Sequence, residues 1–237
     1  MIGLLVIIVV SGVLLHFIEK KNISVLGIIP NQKHLTQFLI GFLIIVLINL
    51  SMIYIETLVK SISWEVKSIN YRAIYEAFVY HLRSALTEDL VFRGAILYIL
   101  ISKIGAKKAV LLSALIFGIY HVFSYGMTGG RIVPILYVIL VTGFVGYVWA
   151  YAFHKTKSIA IGLGLHLGSN LVMSCFYPSQ PFGELLFTEL SRVNFSEWNE
   201  FYYSIFRGFY PSILMLLFIK LLLKSNFNFS KKNSKTN

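Results

Sequence analysis

The chain has 237 residues, 57% of them hydrophobic and 13% charged, with a mean hydropathy of +0.76. A soluble domain carries about twice that share of charge, so a disordered chain, a coiled coil and an ordinary cytosolic enzyme are excluded. The single cysteine, Cys175, excludes an internal disulfide and a cysteine-based zinc cluster. The formal charge of +11 could serve nucleic-acid binding or membrane topology, and the positions of the charges decide between them.

A helix needs about 20 apolar residues to cross roughly 30 Å of hydrocarbon. Residues 1–18 carry no charge. They read as a retained helix rather than a cleaved signal, because no basic segment precedes them and Lys20-Lys21 occupy the expected cleavage region. The next charge-free stretch is 34–55. A third span is expected over Tyr80–Ser102, interrupted by Arg83, Glu88, Asp89 and Arg93. Charge-free stretches then follow at 109–130, 132–154 and 158–183.

The segment Phe195–Phe206, with Trp198, Tyr202 and Tyr203, suits a helix lying at the membrane interface. A last, short span is expected over Gly208–Leu223, with Lys220 snorkelling near its end. The five prolines, at 30, 134, 178, 181 and 211, are expected near span ends, where they cost least. No period-2 alternation of the barrel type occurs, so every span is read as a helix. The expected fold is all-α: a polytopic transmembrane helical bundle of about seven spans. It forms one domain over residues 1–237.

Alternate loops hold Lys20, Lys21, Lys33, Lys103, Lys107, Lys108, Lys155, Lys157, Lys224, Lys231, Lys232 and Lys235, against one acid, Glu19. The other loops hold Lys60, Lys67, Arg72, Arg131, Arg192 and Arg207, balanced by Glu56, Glu65, Glu184, Glu189, Glu197 and Glu200. The bias predicts an integral protein of the cell membrane with an outside N-terminus and a cytoplasmic C-terminus. The basic tail is read as a topology signal, and no nucleic-acid partner is expected.

Polar groups inside spans are costly and therefore informative. Asp89 and Arg93 lie four residues apart, share a helix face and can pair. Glu88 points about 100° away and has no obvious local partner. Phe117 and His121 share a face of the fourth span, and His166 and Asn170 share a face of the sixth. Gly162, Gly164 and Gly168 lie around the latter pair and would let neighbouring helices approach closely.

One carboxylate, two imidazoles and one carboxamide suit amide hydrolysis. A carboxylate can deprotonate water with help from an imidazole, while an imidazole and a carboxamide can donate to a developing oxyanion. Alternatively Glu88, His121 and His166 could hold zinc with an open position for water. Asp89 is the only aspartate, which excludes an aspartyl dyad, and no H-E-x-x-H motif or G-x-S-x-G elbow is present.

At these residues the sequence resembles the CPBP, or Abi, family of intramembrane proteases. That family includes type II CAAX prenyl endopeptidases and bacterial proteins of bacteriocin processing or self-immunity. Its pattern is E-E-x-x-x-R, F-x-x-x-H and H-x-x-x-N. Here it reads Glu88-Asp89-x-x-x-Arg93, Phe117-x-x-x-His121 and His166-x-x-x-Asn170.

The resemblance implies Glu88 as catalytic glutamate, His121 as its partner in activating water, His166 and Asn170 as oxyanion donors, and Arg93 as a structural residue. It implies a catalytic core over about residues 80–175 and a substrate peptide or protein at the membrane. A metal-free reaction is favoured, because Asn170 beside His166 resembles a hydrogen-bond donor more than a zinc ligand. Asp89 departs from the family's second glutamate. The predicted topology puts the site in the middle to outer half of the bilayer. Two other readings use the same residues: a non-cleaving peptide-binding immunity protein or transporter, and a scaffold whose polar cluster only locks helices.

Overall fold

The computed structural model describes residues 2–224. The lysines of the basic tail at 231, 232 and 235 therefore lie outside the described residues. The fold is an all-α bundle. Its elements are α1 (Ile2–Leu14), extended by a π-helical turn (Leu15–Glu19), a 3-10 turn (Ile23–Leu26), α2 (Gln32–Val59), β1 (Ser63–Val66), α3 (Tyr71–Arg93), α4 (Ala95–Ile104), α5 (Ala106–Ser124), α6 (Ile132–Thr156), α7 (Ala160–Phe176), β2 (Phe187–Ser191) and α8 (Glu197–Lys224).

Local chemistry sets several of these boundaries. The Asn31 side chain accepts from the His34 amide and starts α2, and Asn70 accepts from the Ala73 amide and starts α3. Both satisfy amides that a helix start leaves open. Five helices are long and apolar enough to cross a membrane: Ile2–Glu19, α2, α5, α6 and α8. The shorter α7 is also apolar.

Three expectations are corrected. The span over Tyr80–Ser102 is two helices, since α3 starts at Tyr71 and the chain breaks at Gly94 before α4. A Cβ on Gly94 would lie 2.0 Å from the Leu90 carbonyl oxygen, so only glycine fits the break. The interfacial segment and the last span are one helix, α8, which places Pro211 in a helix interior rather than at a span end. Neighbouring helices make such a proline tolerable in a transmembrane helix. Glu56 and Lys60, assigned to a loop, are buried where α2 ends. Glu56 accepts from the Tyr177 hydroxyl and lies 3.6 Å from Arg207, while Lys60 pairs with Glu200 at 2.7 Å.

Two helix pairs frame the interior. A Cβ on Gly164 of α7 would stand 2.1 Å from the Phe38 carbonyl oxygen of α2, and one on Gly41 would stand 2.4 Å from the Ile161 carbonyl oxygen. These contacts bring the α2 and α7 backbones together, as small residues do in membrane bundles. Gly118 and Gly146 do the same for α5 and α6, with Phe117 seated on Gly146.

A short antiparallel ribbon joins β1 to β2, with Trp64 opposite Glu189 and Val66 opposite Phe187. The Trp64 indole donates to Thr57 on α2, and Phe187 stacks on Phe176 at the end of α7. The ribbon thereby ties the α7–β2 loop to the bundle.

Candidate active site

The site lies between α3 and α7, each of which presents a polar stripe. On α3 the stripe is His81, Ser84 and Glu88, at spacings that share a helix face. On α7 it is His166, Asn170 and Ser174, one turn apart each time. The stripes meet at both ends. Ser174 Oγ lies 2.8 Å from His81 Nε2, and His166 Nε2 lies 3.9 Å from Glu88 Oε2. Asn170 falls between these contacts along α7.

Glu88 and Asp89 are adjacent in sequence and differ in environment. The Asp89 side chain is 1% exposed and sits 3.3 Å from an equally buried Arg93. His166 Nδ1 lies 3.6 Å from the same Asp89 oxygen, Oδ1. The Glu88 side chain is 19% exposed and faces Ser84 Oγ at 3.4 Å. Sequence reading left Glu88 without a local partner; Ser84, one turn earlier, is that partner.

Aromatic rings hold Arg93. Its guanidinium carbon lies 3.9 Å from the Phe117 ring centroid and 4.8 Å from that of Trp149. These cation–π contacts offset part of the cost of a charge with little polar company. Trp149 also covers the His166 ring, with centroids 4.4 Å apart. The conspicuous Phe117 is thus a platform for Arg93, as well as a ring neighbour of His121 at 4.4 Å.

His121 has a defined tautomer. Its Nδ1 is 2.8 Å from the Phe117 carbonyl oxygen. A carbonyl only accepts, so Nδ1 carries the proton and donates, leaving Nε2 with a free lone pair in the neutral ring. His121 feels the charges of Glu88, Arg93 and His166.

At 3.6 and 3.9 Å the contacts of His166 with the two carboxylates are longer than hydrogen bonds. Sites without substrate often show such loose geometry. Among the described residues no hydrogen bond engages the Asn170 carboxamide, which is half-buried.

Glu88, His121 and His166 are the residues of the zinc alternative. Among the described residues no three or more His, Cys, Asp or Glu side chains gather as a metal-holding group. No step below passes through a metal.

Four residues of the site, His81, Ser84, Ser174 and Trp149, lie outside the sequence motifs. His81 and Ser84 sit seven and four residues before Glu88, on its face, so helical periodicity was their signal. Ser174 continues the His166–Asn170 spacing by one more turn. Trp149 carried only a weaker hint, a tryptophan deep in a span rather than in the interfacial belt.

The apolar helices fit a multi-pass membrane protein, with a cluster of polar side chains in its interior. Residues 70–172 match the model of the family described as Rce1-like, type II CAAX prenyl endopeptidase. By its description that family is one of endopeptidases, and the match runs from the start of α3 to Val172 in α7. Comparison with curated proteins gave no match, and neither did comparison with solved structures.

Proposed function

We propose that the chain is a glutamate-dependent intramembrane endopeptidase acting on a membrane-associated peptide or protein. The observation that carries this reading is the contrast between sealed Asp89, paired with Arg93, and accessible Glu88 beside two imidazoles. In the proposed reaction Glu88 takes a proton from water, with His121 Nε2 orienting that water. The water oxygen attacks the scissile carbonyl carbon, and the carbonyl electron pair moves onto its oxygen. His166 and Asn170 donate to that oxyanion. As the tetrahedral intermediate collapses, the C–N bond breaks and Glu88 returns its proton to the leaving amine.

The anchoring geometry of Asp89 supports its standing in place of the family's second glutamate. It holds Arg93 and borders His166 without reaching the accessible side of α3. The reaction needs no metal. The lysine-rich end, which includes the α5 start and the α6 end, is proposed to face the cytoplasm, with the C-terminus on that side.

The test is substrate accumulation. Cells carrying Glu88→Gln should build up an uncleaved membrane peptide or protein that wild-type cells process, identified by mass spectrometry of the membrane fraction. His121→Ala should accumulate the same species. Identical membrane peptide profiles in wild type and both variants would overturn the assignment.

A further inference from the structure

A second site lies away from Glu88, at the lysine-rich end of the bundle where α5 begins and α6 ends. Between them is a cavity of about 330 Å³ lined by Lys107, Tyr147, Tyr151, His154 and Lys155. Lys155 folds over the Tyr151 ring, its Nζ 5.7 Å from the centroid. Among the described residues neither lysine has an ion-pair partner, and Nδ1 of His154 is buried without a hydrogen bond. The start of α5 has no side-chain cap. Its first helical hydrogen bond is from the Ala109 amide to Gly105, which leaves the earlier amides as donors at the positive end of the helix dipole.

The cavity continues into an apolar groove. A space of about 380 Å³ runs along the α5–α6 seam, lined by Leu111, Leu115, Ile139, Leu140 and Tyr147. Leu111 and Tyr147 line both spaces. Leu111, Leu115 and Leu140 are each at least half exposed on the outer surface of the bundle. Two cations and open amides at the membrane boundary, above an apolar channel, match a molecule with an anionic head and a hydrocarbon tail. Basic pockets between transmembrane helices hold anionic headgroups by this chemistry.

We propose that the α5–α6 seam binds an anionic phospholipid, with its phosphodiester between Lys107 and Lys155 and an acyl chain in the groove below. A choline headgroup would add a cation beside two lysines. A free phosphate would leave the groove unfilled.

The test uses the full chain, purified and delipidated in a neutral detergent, with binding read by native mass spectrometry and thermal unfolding. The ligands are dioleoyl phosphatidylglycerol, dioleoyl phosphatidylcholine and inorganic phosphate. Phosphatidylglycerol should bind and raise the unfolding temperature, phosphatidylcholine should bind about tenfold more weakly, and phosphate should do neither. Lys107→Gln with Lys155→Gln should weaken phosphatidylglycerol binding about tenfold to thirtyfold. Lys20→Gln with Lys21→Gln removes the same charge at the same end outside the cavity, and should change binding less than about twofold.

Equal binding of the two lipids would overturn the proposal, as would stabilisation by phosphate alone or an equal loss in the Lys20/Lys21 variant. Displacement of phosphatidylglycerol by an acidic peptide would assign the surface to a protein partner instead. If the Lys107/Lys155 variant does not fold, the comparison of the three ligands on the natural chain decides.

Discussion

Asp89→Asn removes the negative half of a pair whose side chains are 1% and 2% exposed, 3.3 Å apart. The guanidinium of Arg93 would then keep a neutral amide oxygen in place of a carboxylate, with its contacts to the rings of Phe92, Phe117 and Trp149, and two of its nitrogens already lack hydrogen-bond partners. Breaking a buried pair from one side costs about 3–5 kcal/mol; the ring contacts exist before and after Asp89→Asn, so they do not offset it, and Arg93→Gln loses them as well. Asp89→Asn and Arg93→Gln are therefore each expected to cost about 3–5 kcal/mol. Asp89→Leu with Arg93→Met removes both charges and should cost less than either single change. The assay is equilibrium unfolding in mixed micelles, analysed as a double-mutant cycle. Asp89→Glu keeps the charge but adds a methylene to a filled site, and should cost about 1 kcal/mol or slightly more. Single-variant losses below about 0.5 kcal/mol, or strictly additive losses in the double variant, would refute the pairing argument.

Other predictions follow from the same geometry. Gly164→Ala puts a Cβ 2.1 Å from the Phe38 carbonyl oxygen and should cost about 1–3 kcal/mol in unfolding. Gly3→Ala, with nothing within 4 Å, should be near neutral or slightly stabilising. His81→Leu removes the partner of Ser174 and one tie between α3 and α7, for a loss of about 1–3 kcal/mol in the same assay. An unchanged midpoint in Gly164→Ala or His81→Leu would contradict the close packing or the tie it probes. Phe117→Leu keeps an apolar, somewhat smaller side chain but removes the ring 3.9 Å from Arg93, for a loss of about 1–2 kcal/mol beyond the packing change. An equal loss when Arg93 is already methionine would show that packing, not cation–π attraction, was lost.

Much of the fold was legible because lipid imposes a simple rule on composition. The stretch 132–154 differs from α6 by two residues at one end, and 34–55 lies inside α2. Charges mark where apolar runs stop, and helices are one of only two ways to satisfy a backbone in hydrocarbon. The break at Gly94 was not legible, since the hydropathy of Tyr80–Ser102 averages across it and one glycine in an apolar run is weak punctuation.

The continuity of α8 was obscured by the polar residues around Trp198 and by Pro211, both of which read locally as an end. Buried Glu56 and Lys60 looked like loop charges because their partners, Tyr177, Arg207 and Glu200, lie more than 100 residues away.

The site was legible where periodicity applies within one helix. Asp89 with Arg93, and His166 with Asn170, follow from a spacing of four. Contacts between helices were not, because nothing in a single sequence says which face of α6 brings Trp149 against both Arg93 and His166. The tautomer of His121 likewise required a distance to a backbone carbonyl.

Turnover of one identified substrate by reconstituted wild type and Glu88→Gln, at matched unfolding temperature, tests the central claim most directly. The accessible carboxylate is expected to supply general-base catalysis, so Glu88→Gln should lose activity by about 10²–10⁴-fold while keeping its fold. Cleavage by a folded Glu88→Gln at the wild-type rate would contradict the account.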